Sequence, residues 1–312
     1  MRRREILALV AFAGGSVANA SSDGGDWTSG WTEVSTSPRM WMPSDFSSSS
    51  VSVQWRDDYP APPAFVDFGL TNHEGRNGVI YRGNHADEPV WNSERRSSLV
   101  LPDNTMAVHL DWWHYMPTNA WMHTGKRMGF ESRPHAAGGA TVAGVTDTSQ
   151  GELGLPGGWS TRFYPNKIYN SSSNTYPERY SFYSYMQNRK AFGAKNQSNG
   201  RLFGATRSTA GGTAVMGAWV RLSWTLIMNS PFNADGASYF WVDGVLSEST
   251  TGILWQEDIA QHPIRSFYLS WMYGGTPPNA DLIPRRTFRE YYGDARIGIT
   301  SRANALANPW PF

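Results

Sequence analysis

Two short tracts of alternating residues carry the side chains best suited to chemistry. The first contains Ser160 and Arg162, and the second contains Tyr183 and Tyr185. Residues i and i+2 of a β-strand share a face, so each pair is expected to lie on one side of its strand. A hydroxyl, a guanidinium and two phenols make a poor core. They suit the floor of a cleft that binds an anionic sugar.

Further cations and an imidazole precede these tracts. Lys126 and Arg127 lie in the glycine-bracketed tract Gly125–Gly129, and His123 lies just before it. A cation paired with a uronate carboxylate would stabilise the charge that develops when the proton on C5 is removed. A tyrosine can take that proton, or protonate the leaving oxygen on C4, if nearby cations lower its pKa from about 10. The set therefore favours β-elimination on a polyuronate, without a metal or another cofactor.

Other catalytic patterns are missing from the sequence. It contains no Gly-x-Ser-x-Gly elbow, no phosphate-binding loop, and no His-x-x-x-His spacing with a glutamate for zinc. A retaining glycosidase needs two acids on one face about 5 Å apart. Glu257 and Asp258 are adjacent and would face opposite ways, although distant acids could converge in space. Two-carboxylate hydrolysis is therefore disfavoured.

Composition favours a large β-rich protein with a carbohydrate partner. The chain has 312 residues, of which 14% are aromatic, and a formal net charge of +1. Its length suits one large all-β domain or two small ones. The near-neutral charge, without a basic block, makes nucleic acid and anionic membranes unexpected partners. The chain lacks cysteine, so a large core must supply its stability without disulfides.

The N-terminal tract Met1–Ala20 resembles a secretory signal. It has a charged start at Arg2–Arg4, an apolar stretch at Ile6–Ala13 and a small-x-small cleavage site at Ala18–Ala20. Both the general secretory and the twin-arginine routes fit. We therefore expect an exported monomer, periplasmic or extracellular, with no membrane association after signal removal. Residues 21–50 are interpreted as a Ser/Gly-rich extension, and residues 51–312 as the functional domain.

The remaining sequence alternates between strand-like and turn-like segments. Val220–Met228 and Ala237–Val242 are typical of strands, and Asp243-Gly244 after the second predicts a hairpin. Ser266–Tyr273 predicts another strand. Many short strands with Gly, Asn and Pro turns predict an all-β protein, a β-sandwich or jelly roll.

Several tracts, in this order, resemble polysaccharide lyase family 14. That family includes alginate lyases, and the glucuronan lyases of family 20 are close to it in architecture. The tracts are Thr124–Phe130, Gly157–Tyr164, Tyr180–Met186, Trp219–Gly244 and Phe267–Gly275. The resemblance covers roughly Met106 to Gly298. It implies a β-jelly roll, a two-sheet antiparallel sandwich with a concave substrate cleft.

The resemblance also implies roles for the residues selected above. The functional lysine of the family falls on Lys126, its Ser-x-Arg pair on Ser160 and Arg162, and its Tyr-x-Tyr pair on Tyr183 and Tyr185. The sequence departs from the family pattern after Lys126, where an arginine replaces a common apolar residue.

The combined prediction is an exported lyase that cleaves an acidic polyuronate, alginate first and glucuronan second. Tyr185 is the predicted acid or base, with Tyr183 as its partner, and the cations hold the carboxylate. Ser160, Arg127 and His123 are predicted to bind substrate. Trp219, Trp241 and Trp271 are candidates for stacking on sugar rings in the cleft, with a place in the core as the alternative for each. A non-catalytic carbohydrate-binding module and a glycoside hydrolase on the same fold remain alternatives.

Overall fold

The regular structure of this chain is almost entirely β-strand. The computed structural model describes residues 27–34, 51–55, 68–84, 93–120, 125–132, 158–167, 178–194, 204–208, 214–260, 262–273 and 288–312. The predicted signal peptide, residues 1–20, lies outside these ranges. Within them, one short helix, α1 (Arg302–Ala307), and one 3₁₀ turn (Arg189–Phe192) interrupt the strands. No helix in the described ranges is long and apolar enough to cross a membrane.

The strands form two large antiparallel sheets. The tyrosine sheet, named for the pair Tyr183 and Tyr185, contains in spatial order β13 (Ala205–Ser208), β12 (Ser181–Tyr185), β9 (Ser160–Phe163), β8 (Gly129–Glu131), β17 (Ile264–Tyr273), β5 (Ser93–Thr105) and β2 (Val51–Trp55), with β7 (Gly125–Lys126) also paired to β17. The back sheet contains β16 (Val245–Ile253), β15 (Gly236–Val242), β14 (Trp219–Ile227), β6 (Ala107–Tyr115), β18 (Phe288–Thr300), β4 (Arg76–Asn84) and β3 (Phe68–His73), with β1 (Thr32–Glu33) paired to β18. A separate small sheet pairs β10 (Asn166–Lys167) with β11 (Glu178–Arg179). The predicted all-β jelly roll is confirmed.

The core lies between the two sheets and fixes which side chains face outward. Phe163 on β9 packs edge-on against Trp112 of the back sheet, with ring centroids 5.4 Å apart. Phe182 on β12 packs 4.5 Å from the ring of Trp224. All four side chains are fully buried. Because neighbouring residues of a strand point to opposite faces, the residues beside Phe163 and Phe182 must face away from the core.

The predicted hairpin after Ala237–Val242 is confirmed. β15 and β16 are antiparallel neighbours joined through Asp243 and Gly244. Both turn residues have positive φ, 48° and 76° respectively. A two-residue turn with two positive φ angles matches the right-handed twist of the strands, and aspartate followed by glycine tolerates it best.

A buried ion pair joins the two sheets and holds a residue that was predicted to bind substrate. The Arg127 guanidinium donates to Glu290 of β18 through Nη2 at 2.5 Å and Nε at 3.0 Å, and both side chains are fully buried. Burial opposes the charge of Glu290, but Arg127 and His114 outweigh it and lower the pKa of Glu290 to about 2. Arg127 was expected to bind substrate. It is instead fully buried and paired with Glu290, so the structure does not place it for direct contact with a polymer.

The outer face of the back sheet is covered by the two terminal parts of the described chain. Thr28 donates its backbone N–H to Pro311 O at 2.7 Å, and the ring of Trp27 lies 4.9 Å from that of Phe312. Both rings pack on His109 of β6. His109 Nδ1 lies 2.7 Å from Thr225 Oγ1, which donates to the carbonyl of Pro309, so a hydrogen-bond chain anchors the C-terminal segment.

Trp219 and Trp241 also lie on this outer back face. Trp241 packs 4.9 Å from the ring of Trp310, and Trp219 packs 5.6 Å from that of Tyr115. Neither therefore lies on the sheet face that carries Arg162 and the tyrosine pair, because alternation along a strand does not show which sheet the strand joins. Trp271 lies in β17, but its side chain is outside the described part of the structure.

Candidate active site

Four of the predicted residues come together on adjacent strands. β9 and β12 pair so that Arg162 lies opposite Tyr183 and Ser160 lies opposite Tyr185. Directly opposed residues of an antiparallel pair share a face and have Cβ atoms about 5 Å apart. The core-facing positions of Phe163 and Phe182 place all four on the outer face of the tyrosine sheet. The register thus joins the two tracts into one site.

The two tyrosines form a hydrogen-bonded pair. Tyr183 Oη and Tyr185 Oη lie 3.3 Å apart, and their rings meet edge to face at 5.2 Å. The backbone N–H of Gly204 donates to Tyr183 Oη at 2.9 Å. A Cβ on Gly204 would lie 2.7 Å from the ring of Tyr183, so only glycine permits this approach. Gly204 lies just before β13, and no pattern in the sequence connects it to the tyrosines.

The electrostatics of Tyr183 differ from the expectation that nearby cations lower a tyrosine pKa. Burial raises the pKa of Tyr183 well above its usual range, and the neighbouring Tyr185 raises it further. The Gly204 N–H and the Arg162 charge oppose this shift but do not reverse it. For Tyr183 the expectation is wrong. Its phenol stays protonated, and the O–H can donate to Tyr185 Oη while its oxygen accepts from Gly204.

Arg162 is held by a tyrosine that the sequence did not single out. Its Nε donates to Tyr268 Oη of β17 at 2.9 Å, and only 4% of the residue is exposed. Tyr268 is itself fully buried, and its hydroxyl lies 3.4 Å from the carbonyl of Thr161. The alternation of Ser266, Tyr268 and their neighbours predicted the strand. It did not show that this strand lies two places from β9.

Ser160 occupies a buried polar position beside a carboxylate. Ser160 is fully buried, and its Oγ has no hydrogen-bond partner among the residues that the structure describes. Ser160 lies opposite Glu131 of β8, and Glu131 accepts a hydrogen bond from Ser266 Oγ at 3.1 Å. The sequence reasoning missed Glu131, which lies at the end of the short strand β8, a few residues after the cations Lys126 and Arg127. Its carboxylate adds an acceptor to the outer face.

The structure describes only the backbone of Lys126 and does not describe His123. Lys126 lies in β7, where the register sets it opposite Met272 of β17, but its side chain is outside the described part of the structure. His123 lies outside the described residues altogether. In the described ranges, no three His, Asp or Glu side chains cluster as they would around a metal ion.

Comparison with known proteins finds likeness in structure. No protein-family model and no curated protein matches the sequence. The marine PL-14 alginate lyase from Aplysia kurodai is 12% identical, with a TM-score of 0.55 over 81% of this chain and 91% of that one. A variant of alginate lyase Aly36B in complex with an alginate tetrasaccharide is 13% identical, with a TM-score of 0.50 over 80% and 96%. The endo-β-1,4-glucuronan lyase from the fungus Trichoderma reesei is 14% identical, with a TM-score of 0.43 over 81% and 95%. At these identities the likeness concerns the backbone: this chain has a jelly-roll fold that alginate lyases also use.

Proposed function

We propose that this chain is a polysaccharide lyase that cleaves an acidic polyuronate by β-elimination. The observation that carries the proposal is the position of Arg162 beside the Tyr183–Tyr185 pair on one outer sheet face. A fixed cation next to a phenol that can exchange a proton is what removal of the C5 proton requires. The shared fold of alginate lyases supports the same class.

Arg162 is the group that binds the uronate carboxylate. A guanidinium presents its donors in a planar fork that matches a carboxylate, and a lysine cannot reproduce that grip. When the C5 proton leaves, negative charge spreads onto the carboxylate. The Arg162 cation, buried to all but 4%, interacts with that charge more strongly than it would in water. Lys126 is the proposed second cation.

Tyr185 is the proposed acid or base. As a base it takes the C5 proton, the C4–O bond breaks, a C4–C5 double bond forms, and the proton that Tyr185 has taken passes to the departing oxygen. Tyr183 supports the step because its phenol stays protonated and can donate to Tyr185 Oη, 3.3 Å away, while that oxygen carries charge. Ser160 Oγ lies opposite Tyr185 and is the proposed donor to a sugar hydroxyl or carboxylate.

The proposed substrate is alginate first and glucuronan second. We further propose that the chain is exported, because Met1–Ala20 has the arrangement of a secretory signal. An exported enzyme meets polymers that do not enter the cell. The proposed product is an unsaturated oligosaccharide.

One assay separates the proposal from its alternatives. Purified protein is incubated with alginate, polymannuronate and glucuronan, and ultraviolet absorbance follows the unsaturated sugar end. Growing absorbance supports a lyase, new reducing ends without absorbance indicate a hydrolase, and binding alone indicates a carbohydrate-binding module. Tyr185→Phe should then lower the rate by about 10²-fold or more, since it removes only the hydroxyl.

Tyr239→Phe is a matched control. Tyr239 lies on β15 of the back sheet, whereas the tyrosine pair lies on the other sheet. The Tyr239→Phe variant should therefore turn over substrate at the normal rate. Normal turnover in Tyr185→Phe would refute its role as acid or base.

A further inference from the structure

We propose that Tyr268 is a positioning residue that fixes the Arg162 guanidinium for the substrate carboxylate. The inference rests on the proposed lyase function and adds a residue that does not itself contact the polymer. Its basis is the hydrogen bond from Arg162 Nε to Tyr268 Oη at 2.9 Å. The guanidinium carbon also lies 5.8 Å from the Tyr268 ring centroid, within reach of a cation–π contact.

Glycine makes this contact possible. Tyr268 lies directly opposite Gly129 in the pairing of β17 with β8, and Gly129 lies directly opposite Arg162 in the pairing of β8 with β9. Tyr268 and Arg162 are thus two strands apart, roughly 10 Å between backbones. They meet only because Gly129 has no side chain between them. A Cβ there would lie 2.7 Å from Tyr268 Oη and 2.1 Å from the carbonyl oxygen of Thr161.

The chemical type of the partner suits a positioning role. Tyr268 is fully buried, so it acts on substrate through Arg162 and not by direct contact. A carboxylate at the same place would hold the guanidinium and also cancel its charge. A phenol is uncharged near neutral pH, so this partner restrains the side chain without itself neutralising its charge. The Oη can also donate onward to Thr161 O, 3.4 Å away, which fixes the hydroxyl in turn.

The test is Tyr268→Phe, which keeps the ring and removes Oη. The expected result is a fall of about tenfold in kcat/KM on polyuronate, equivalent to about 1.4 kcal/mol. The fall should appear mainly in kcat, because the restraint matters most when charge develops on the carboxylate. Tyr180→Phe is the control: its buried hydroxyl accepts from the Val215 N–H on the core side, and its loss should leave kcat unchanged.

A double-mutant cycle with Arg162→Lys distinguishes positioning from general support of the fold. Tyr268→Phe should lower kcat little further once Arg162 is replaced, because its effect on the reaction passes through Arg162. Additive losses in the double variant would overturn the proposal.

A readout independent of activity separates this inference from the proposed function. Nuclear magnetic resonance of arginine Nε–H groups follows Arg162, whose signal should be lost in Arg162→Lys. Its hydrogen exchange should be slow in the wild type and clearly faster in Tyr268→Phe. A protein inactive on every polyuronate would refute the lyase proposal while this measurement still decided the contact. Unchanged exchange would overturn the contact even in an active enzyme.

Discussion

Replacement of Tyr183 by phenylalanine tests the role of the hydrogen-bonded tyrosine pair. The change removes Oη, which accepts from Gly204 N–H at 2.9 Å and lies 3.3 Å from Tyr185 Oη. The Gly204 N–H then loses its acceptor, at a cost of about 1–3 kcal/mol in the free energy of unfolding. The ring itself should stay in place, because it packs against Tyr164 with centroids 5.8 Å apart.

The catalytic effect of Tyr183→Phe follows from the loss of a donor to Tyr185. A hydrogen bond to a charged group contributes about 1.5–3 kcal/mol, so kcat should fall roughly 10- to 100-fold. Ultraviolet measurement of the unsaturated product gives kcat, and urea unfolding gives the stability. An unchanged kcat would refute the reasoning.

Two further predictions concern stability. Glu290→Gln should lower the free energy of unfolding by about 3–5 kcal/mol, because it leaves the buried Arg127 charge without its carboxylate. Asp294→Asn, which breaks a partly exposed pair with Arg76, should cost under about 1 kcal/mol in the same urea titration, and equal losses would contradict the burial argument. Burial, and then two nearby arginines, lower the pKa of His109 well below its usual range. The unfolded chain therefore takes up a proton below about pH 6.5 that the folded chain does not. Stability should fall as the pH drops through that value, by up to about 1.4 kcal/mol per pH unit. His109→Gln should flatten this part of the stability curve, and an unaltered slope would contradict the assignment.

The tracts around the site were predictable because they depend on local alternation. Residues i and i+2 of a strand share a face whatever the strand pairs with, so the Ser160–Arg162 and Tyr183–Tyr185 pairs followed from sequence. The same rule, combined with the core positions of Phe163 and Phe182, explains why both pairs face outward. The prediction of a jelly roll likewise rested on local signals, namely short strands and turn residues.

The partners of those residues were not predictable because they depend on long-range pairing. Gly129 and Tyr268 meet Arg162 only through the order β9, β8, β17, which joins segments more than a hundred residues apart. The pairing of Arg127 was not predictable for a similar reason. Its side chain turns inward to Glu290, a partner on the other sheet that no spacing along the chain reveals. The sequence likewise did not place Trp219 and Trp241 on the back sheet, because the sheet that a strand joins depends on long-range pairing.

The placement of β18 has a consequence for folding kinetics. This strand, Phe288–Thr300, lies in the middle of the back sheet between β6 and β4, although it is the last strand in the described chain. The back sheet therefore cannot be completed until the end of the chain is available. Such pairings close very long loops before their contacts form, so we expect slow folding and a late, all-or-none gain of structure. Truncation before residue 288 should leave β4 and β6 with exposed edges that promote aggregation.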